Sequence, residues 1–200
     1  MHLRLGPPPD SLSDSELATA EWRRVPRPPL WAVHVLSLPA GALMALLVFV
    51  AWTLLTPPFD LVFESGDKVT VAIASVILLG LVLQISTYPR MGLSEESVFG
   101  LWPSRLTLYT AHASQLTKRQ CIATLLLPFI VLSILPILFV AVFRTSSGWL
   151  IFGSCLAAGV YGINVFLALP VLRLPEKCVI ASRGFEPYWR HSTQSRIRST

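Results

Sequence analysis

CIATLLLPFIVLSILPILFVAVF, residues Cys121 to Phe143, decides the class of this chain. Its 23 residues include no Asp, Glu, Lys or Arg. A helix needs about 20 consecutive apolar residues to cross a hydrocarbon core, so this run is long enough to span one. Three more charge-free runs accompany it: Trp31–Leu55, Val69–Thr87 and Trp149–Leu172. The first is interrupted only by His34, Ser37, Pro39 and Thr53.

The rest of the chain fits these four runs. Of 200 residues, 53% are hydrophobic and 14% charged, against about a quarter charged in a soluble domain. Mean hydropathy is +0.61. The charges lie in five blocks between the apolar runs, which excludes a disulfide scaffold, a disordered tail and a soluble enzyme. Cys121, Cys155 and Cys178 form no CxxC pair and imply neither disulfide nor metal. The expected fold class is an all-α membrane protein, a four-transmembrane-helix bundle with a small cytoplasmic β-hairpin loop. Its parts are a cytoplasmic N-terminal segment (1–30), a membrane domain (31–175, with spans 31–55, 69–87, 121–143 and 149–172) and a basic cytoplasmic tail (176–200). A cleaved leader is not expected, because the first apolar run follows some 30 residues, four of them acidic, and is too long for a signal core.

Lys and Arg set the expected orientation. Arg4, Arg23, Arg24 and Arg27 precede the first run, and Arg90, Arg105, Lys118 and Arg119 lie between the second and third. Arg173, Lys177, Arg183, Arg190, Arg196 and Arg198 follow the fourth. The two remaining loops hold only Lys68 and Arg144. Fourteen basic residues against two place both termini and the 88–120 loop in the cytoplasm of a cell whose inner (plasma) membrane holds the chain. The net charge of +5 is then mainly a topology signal. The bilayer is the expected partner, with attraction to anionic lipid as a secondary effect, and no nucleic acid is expected.

Outside the spans, Ser13 and Glu16 have capping-box spacing and predict a short helix to about Arg24, ended by Pro26, Pro28 and Pro29. Val98–Leu101 and Leu106–Thr110 are β-prone and predict a hairpin across Trp102–Arg105. The outer loops, Thr56–Lys68 and Thr145–Gly148, leave no room for a folded domain.

A search for chemistry finds little. His2, His34, His112 and His191 are far apart in sequence, and none has the i, i+4 spacing of a helical zinc pair. His34 reads as an interfacial or packed residue and His112 as solvated or packed on the hairpin. Ser75, Ser86 and Ser133 lack a partner base and read as hydroxyls that satisfy backbone. Catalytic and metal-ligating residues are therefore assigned to none. Two intramembrane amides remain, Gln84 and Asn164, each 15 residues after the start of a run that travels in the same direction. They are expected at one depth, about 22 Å along their helices, paired by an interhelical hydrogen bond or marking a remnant site. Gly80 stands one turn from Gln84. Ser154, Ala158 and Gly162 form a small-residue face that would admit the second span. Pro128 and Pro136 would kink the third.

Tyr88-Pro89-Arg90-Met91-Gly92, Val98-Phe99-Gly100, Tyr109-Thr110-Ala111 and Leu116-Thr117-Lys118-Arg119-Gln120 lead into Leu127-Pro128-Phe129-Ile130-Val131-Leu132-Ser133. With Leu172-Arg173-Leu174-Pro175 and Tyr188-Trp189, they resemble a bacterial family of small integral-membrane proteins of unknown function, classed as "putative zincin-like peptidases", over about residues 60 to 190. The resemblance implies an HExxH zinc motif in the second span and an acidic ligand in the fourth. Zinc would be the expected cofactor of a catalytic relative, held by two histidines and the acid, with the Glu acting on bound water. Here the window reads Gly80-Leu81-Val82-Leu83-Gln84-Ile85-Ser86, and no histidine occurs from 35 to 111. No Asp, Glu or His occurs from 149 to 172, where Asn164 best matches the acidic position. The chain therefore reads as a degenerate member, a pseudoenzyme that binds or scaffolds membrane-protein clients. Two other readings stand beside it: an active peptidase with an unrecognised site, and a small transporter or channel component. Oligomeric state is left open.

Overall fold

A computed structural model describes residues 2–19, 21–58, 66–105, 107–144 and 147–192. The chain is about 61% helical. A short helix α1 (Asp14–Thr19) precedes α2 (Leu30–Leu55) and α3 (Gly66–Ser86). The third apolar run is built from α4 (Lys118–Phe129), a π turn (Ile130–Ile134) and α5 (Leu135–Phe143), and α6 (Gly148–Leu172) closes the set. Four helical segments, at 30–55, 66–86, 118–143 and 148–172, are long and apolar enough to cross a membrane.

All four start before the apolar runs, and the second and third do so by three residues, because polar residues make good helix starts. α4 begins at Lys118 behind a capping box. Gln120 N–H donates to Thr117 Oγ1 at 3.3 Å, and Thr117 N–H donates to Gln120 Oε1 at 3.0 Å. This satisfies two amides that the first turn leaves orphaned. At the far end of α6, Lys118 Nζ donates to the carbonyls of Leu172 (2.9 Å) and Leu174 (2.6 Å), which have no helical partner there.

The third segment is not a continuous α-helix. Pro136 has no N–H to offer the carbonyl of Leu132, and its ring crowds that carbonyl. The backbone widens into the π turn immediately before it, the usual way a helix absorbs such a mismatch. Inside that turn the Ser133 carbonyl accepts from Ser154 Oγ at 2.8 Å, and Ser154 Oγ accepts from Trp52 Nε1 at 3.1 Å. Three helical segments are thus tied together at a centre where Trp52, Val140 and Ala158 are wholly buried.

α6 is the central helix, with eight buried residues against three each on α2 and α3. Its small face does not receive the second span, as the sequence reading expected, but the first. A Cβ on Gly41 of α2 would collide with the Gly159 carbonyl, and one on Gly162 with Met44. Only glycine lets these two backbones come so close. α3 meets α6 through a different device. Gly80 leaves the space filled by the ring of Tyr161, whose hydroxyl donates to the Ile77 carbonyl at 3.0 Å.

Beyond one end of the helices lie two sheets. The first has order β1-β3-β4, from β1 (His2–Leu5), β3 (Ser97–Trp102) and β4 (Thr107–His112). The second has order β2-β7-β6-β5, from β2 (Arg23–Arg24), β5 (Leu116–Thr117), β6 (Cys178–Arg183) and β7 (Glu186–His191). The predicted hairpin is β3–β4, with Trp102 opposite Thr107; Leu106 lies outside the described residues. The second sheet, and the strand that the N-terminal segment adds to each sheet, were not expected from sequence. The helix predicted to run to Arg24 is seen over Asp14–Thr19 and does not reach Arg23 and Arg24, which pair with Trp189 and Tyr188 instead. Its capping box is present: Glu16 N–H donates to Ser13 Oγ at 3.3 Å, and Ser13 N–H to Glu16 Oε2 at 2.9 Å. Asp10 Oδ1 accepts from Gly184 N–H at 2.6 Å in the β6–β7 turn, where Gly184 has φ +58°. Phe185 joins the sheets, stacked on Trp102 at 5.7 Å and edge-on to Tyr109 at 6.0 Å. The three segments richest in Lys and Arg are therefore woven into one layer at one end of the helices.

Candidate functional site

Where that layer meets the helices there is a cavity of about 390 Å³. α3 ends here and contributes Gln84; α6 passes through and contributes Asn164; β4 contributes Thr110. Both amides singled out in the sequence line this one cavity. They do not bond to each other. Gln84 Oε1 accepts from Thr110 Oγ1 at 3.2 Å, and Thr110 Oγ1 lies 3.1 Å from the Tyr88 hydroxyl. The geometry fits a relay in which Tyr88 donates to Thr110 and Thr110 to Gln84. The expected amide pair is thus replaced by a bond from the hairpin, which a reading confined to the spans could not find. Among the described residues the Asn164 side chain has no hydrogen-bond partner, so its amide is available to a ligand. Gly80 shapes the α3–α6 contact and does not line the cavity. Pro128 and Pro136 are also absent from its walls.

Arg27 is the cavity's cation. It lies three residues before α2, on the Pro-rich approach whose proline spacing the sequence made plain. Its Nη1 donates to the Phe185 carbonyl at a long 3.5 Å, the limit of a hydrogen bond. Among the described residues no carboxylate lies within 4 Å of it. Burial lowers its pKa from the usual arginine value, though a guanidinium stays charged at any physiological pH. The same burial raises the pKa of the Tyr88 hydroxyl. His34 also borders the cavity, with Nδ1 2.8 Å from the Leu30 carbonyl of its own helix.

A second polar group sits in the hairpin. Ser97 and His112 face each other across β3 and β4, with Ser97 Oγ 3.2 Å from His112 Nδ1. His112 Nε2 lies 3.5 Å from Glu96 Oε2, and its ring stacks on Tyr88 at 5.2 Å between centroids. Serine, histidine and carboxylate in a row invite comparison with a nucleophilic triad. Ser97 is only 1% exposed and His112 5%, so a substrate carbonyl has no approach to that hydroxyl. Burial lowers the His112 pKa, against a smaller opposing pull from Glu96. This is a packed histidine, one of the two readings the sequence allowed.

Zinc does not fit the cavity. Among the described residues no group of three His, Cys, Asp or Glu side chains could hold a metal. The cavity offers one imidazole, two neutral amides and a guanidinium, and a dication placed there would be repelled by Arg27 with no carboxylate among the described lining residues to offset it.

A family model described as "putative zincin peptidase" matches residues 73–179, just over half of the chain. No curated protein and no solved structure matches. The chain belongs to that family, and its matched stretch contains no HExxH sequence, which requires two histidines where this stretch holds one, His112.

Proposed function

We propose that this family member is a non-catalytic multi-pass protein of the inner (plasma) membrane, which binds or holds other membrane proteins without cleaving them. The observation that carries the reading is the composition of the cavity walls. Peptide hydrolysis needs an activated water or nucleophile and an acid to protonate the leaving amine. Gln84 and Asn164 can hydrogen-bond but cannot exchange a proton near neutral pH, and Arg27 does not lose one; His34, the one imidazole on the walls, has Nδ1 against the Leu30 carbonyl and no carboxylate beside it in the described lining to complete an acid–base pair.

The four apolar helices are read as a bundle that crosses the bilayer, with the two-sheet layer and both termini in the cytoplasm. Support comes from the fourteen-to-two distribution of Lys and Arg and from the pairing of the N-terminal segment, the 88–120 loop and the tail with one another. Many side chains on the helix surfaces remain for partners or lipid, among them Leu38, Leu54, Val71 and Val142, each more than 60% exposed.

Quantitative mapping of protein N-termini in membranes from cells with and without the chain tests the reading. The expected result is altered abundance or retention of particular membrane proteins with no new N-terminus. A chain-dependent new N-terminus within or beside a transmembrane segment would establish a peptidase instead.

A further inference from the structure

The polar cavity continues into an apolar groove. Val33, Ile163 and Leu167 wall both. The groove, of about 260 Å³, runs between α2 and α6 and is bounded by Leu36, Pro39, Ala40 and Phe166. Its walls are almost entirely hydrocarbon.

The combined shape is asymmetric in polarity. At one end is Arg27, at the level where α2 begins, with no carboxylate within 4 Å among the described residues. The unbonded Asn164 amide lies on the same cavity wall. At the other end is a slot between two helices that face a hydrocarbon solvent. A guanidinium offers five N–H donors in a planar fork suited to phosphate oxygens, whereas the one carbonyl beside it takes a single long bond.

We propose that this composite site holds one anionic glycerophospholipid, its phosphate on Arg27, its glycerol ester region near Asn164 and an acyl chain in the α2–α6 groove. Charge complementarity selects the headgroup, and the groove selects a chain-bearing ligand over a free anion. The inference goes beyond binding of protein partners and holds whether or not such partners exist.

Native mass spectrometry of the full chain released from nanodiscs of phosphatidylcholine containing phosphatidylglycerol is the test. One retained phosphatidylglycerol per chain is expected for the unmodified protein, and retention between that of the unmodified protein and that of Arg27→Gln for Arg27→Lys, which keeps the charge but not the fork. Retention should fall by about tenfold or more in Arg27→Gln, as for loss of a charge-assisted contact. Val33→Trp, which fills the junction, should lower retention comparably while leaving the thermal unfolding of the protein in place. Millimolar inorganic phosphate should not displace the lipid. Three results would overturn the proposal: equal retention of phosphatidylcholine, undiminished retention in Arg27→Gln, or displacement by phosphate alone, which would mark a site for the free anion. Because Arg27 lies outside every helix and strand, its substitution reads the site without removing an element of the fold.

Discussion

Thr110 determines what Gln84 does. An intramembrane amide seeks an internal partner, and the hairpin supplies one before the neighbouring helix can. A double-mutant cycle of Gln84→Leu with Thr110→Val should show coupling of about 0.6–2 kcal/mol. Gln84→Leu and Asn164→Leu should be additive within about 0.5 kcal/mol, since no bond joins them. The reverse pattern, read by reversible unfolding in mixed micelles, would mean that the two amides pair in the bilayer. His112 gives a pH-dependent outcome. Its folded pKa is depressed by burial, so the unfolded chain binds the proton more readily. Its contribution is full above the ordinary histidine value, about 6.5, and is lost as pH falls from there through the folded pKa. The unfolding midpoint should fall between pH 7 and 5.5, and fall less in His112→Gln. A midpoint that rises on acidification would show that protonated His112 gains more from Glu96 than burial costs it.

At the scale of elements, glycine decides which helices touch. Gly41→Leu would drive a side chain into the Gly159 carbonyl and separate α2 from α6. The expected cost is about 1–3 kcal/mol or more, as for other overpacked contacts, with Leu43→Ala, at an exposed position of α2, near neutral. Equal effects of the two would remove the close α2–α6 crossing from the account. The four long helices were legible because uncharged runs of that length have few alternatives to a membrane span. The partner of the small face on α6 was not legible. Ser154, Ala158 and Gly162 announce close approach by some helix, but a small-residue stripe carries no label for which one. The β6–β7 hairpin was missed for another reason. Counting charge made residues 176–200 a basic tail, whereas β-prone Val179–Ala181 and Tyr188–Trp189 around Gly184 carry a turn signal. The π turn was only half visible: Pro136 predicts a disturbed helix, but not that the chain widens rather than bends.

For the whole molecule, both sheets gather the basic segments at one end of the helices, the arrangement expected if the four helices cross a membrane. Reporter fusions at Glu64 and Thr145, which lie outside the described residues, should read external. Fusions at Glu95 and Thr200, the latter also outside them, should read cytoplasmic; an internal signal at Glu64 would contradict the proposed orientation. The candidate site was legible in part. Gln84 and Asn164 could be named because polar residues in apolar runs are conspicuous. Arg27 could not, because in sequence it is one of fourteen basic residues that topology alone explains. Only its place on the same cavity wall as the amides, with no carboxylate within 4 Å among the described residues, singles it out. This member of a family described as "putative zincin peptidase" surrounds a cavity whose described walls do not fit zinc. Metal analysis of the purified full-length chain, prepared without a histidine tag and at neutral pH, tests it most directly. Zinc well below one equivalent per chain is predicted, unchanged in Asn164→Ala and His34→Ala. One tightly held zinc per chain, lost on substituting His34 or His112, would contradict it.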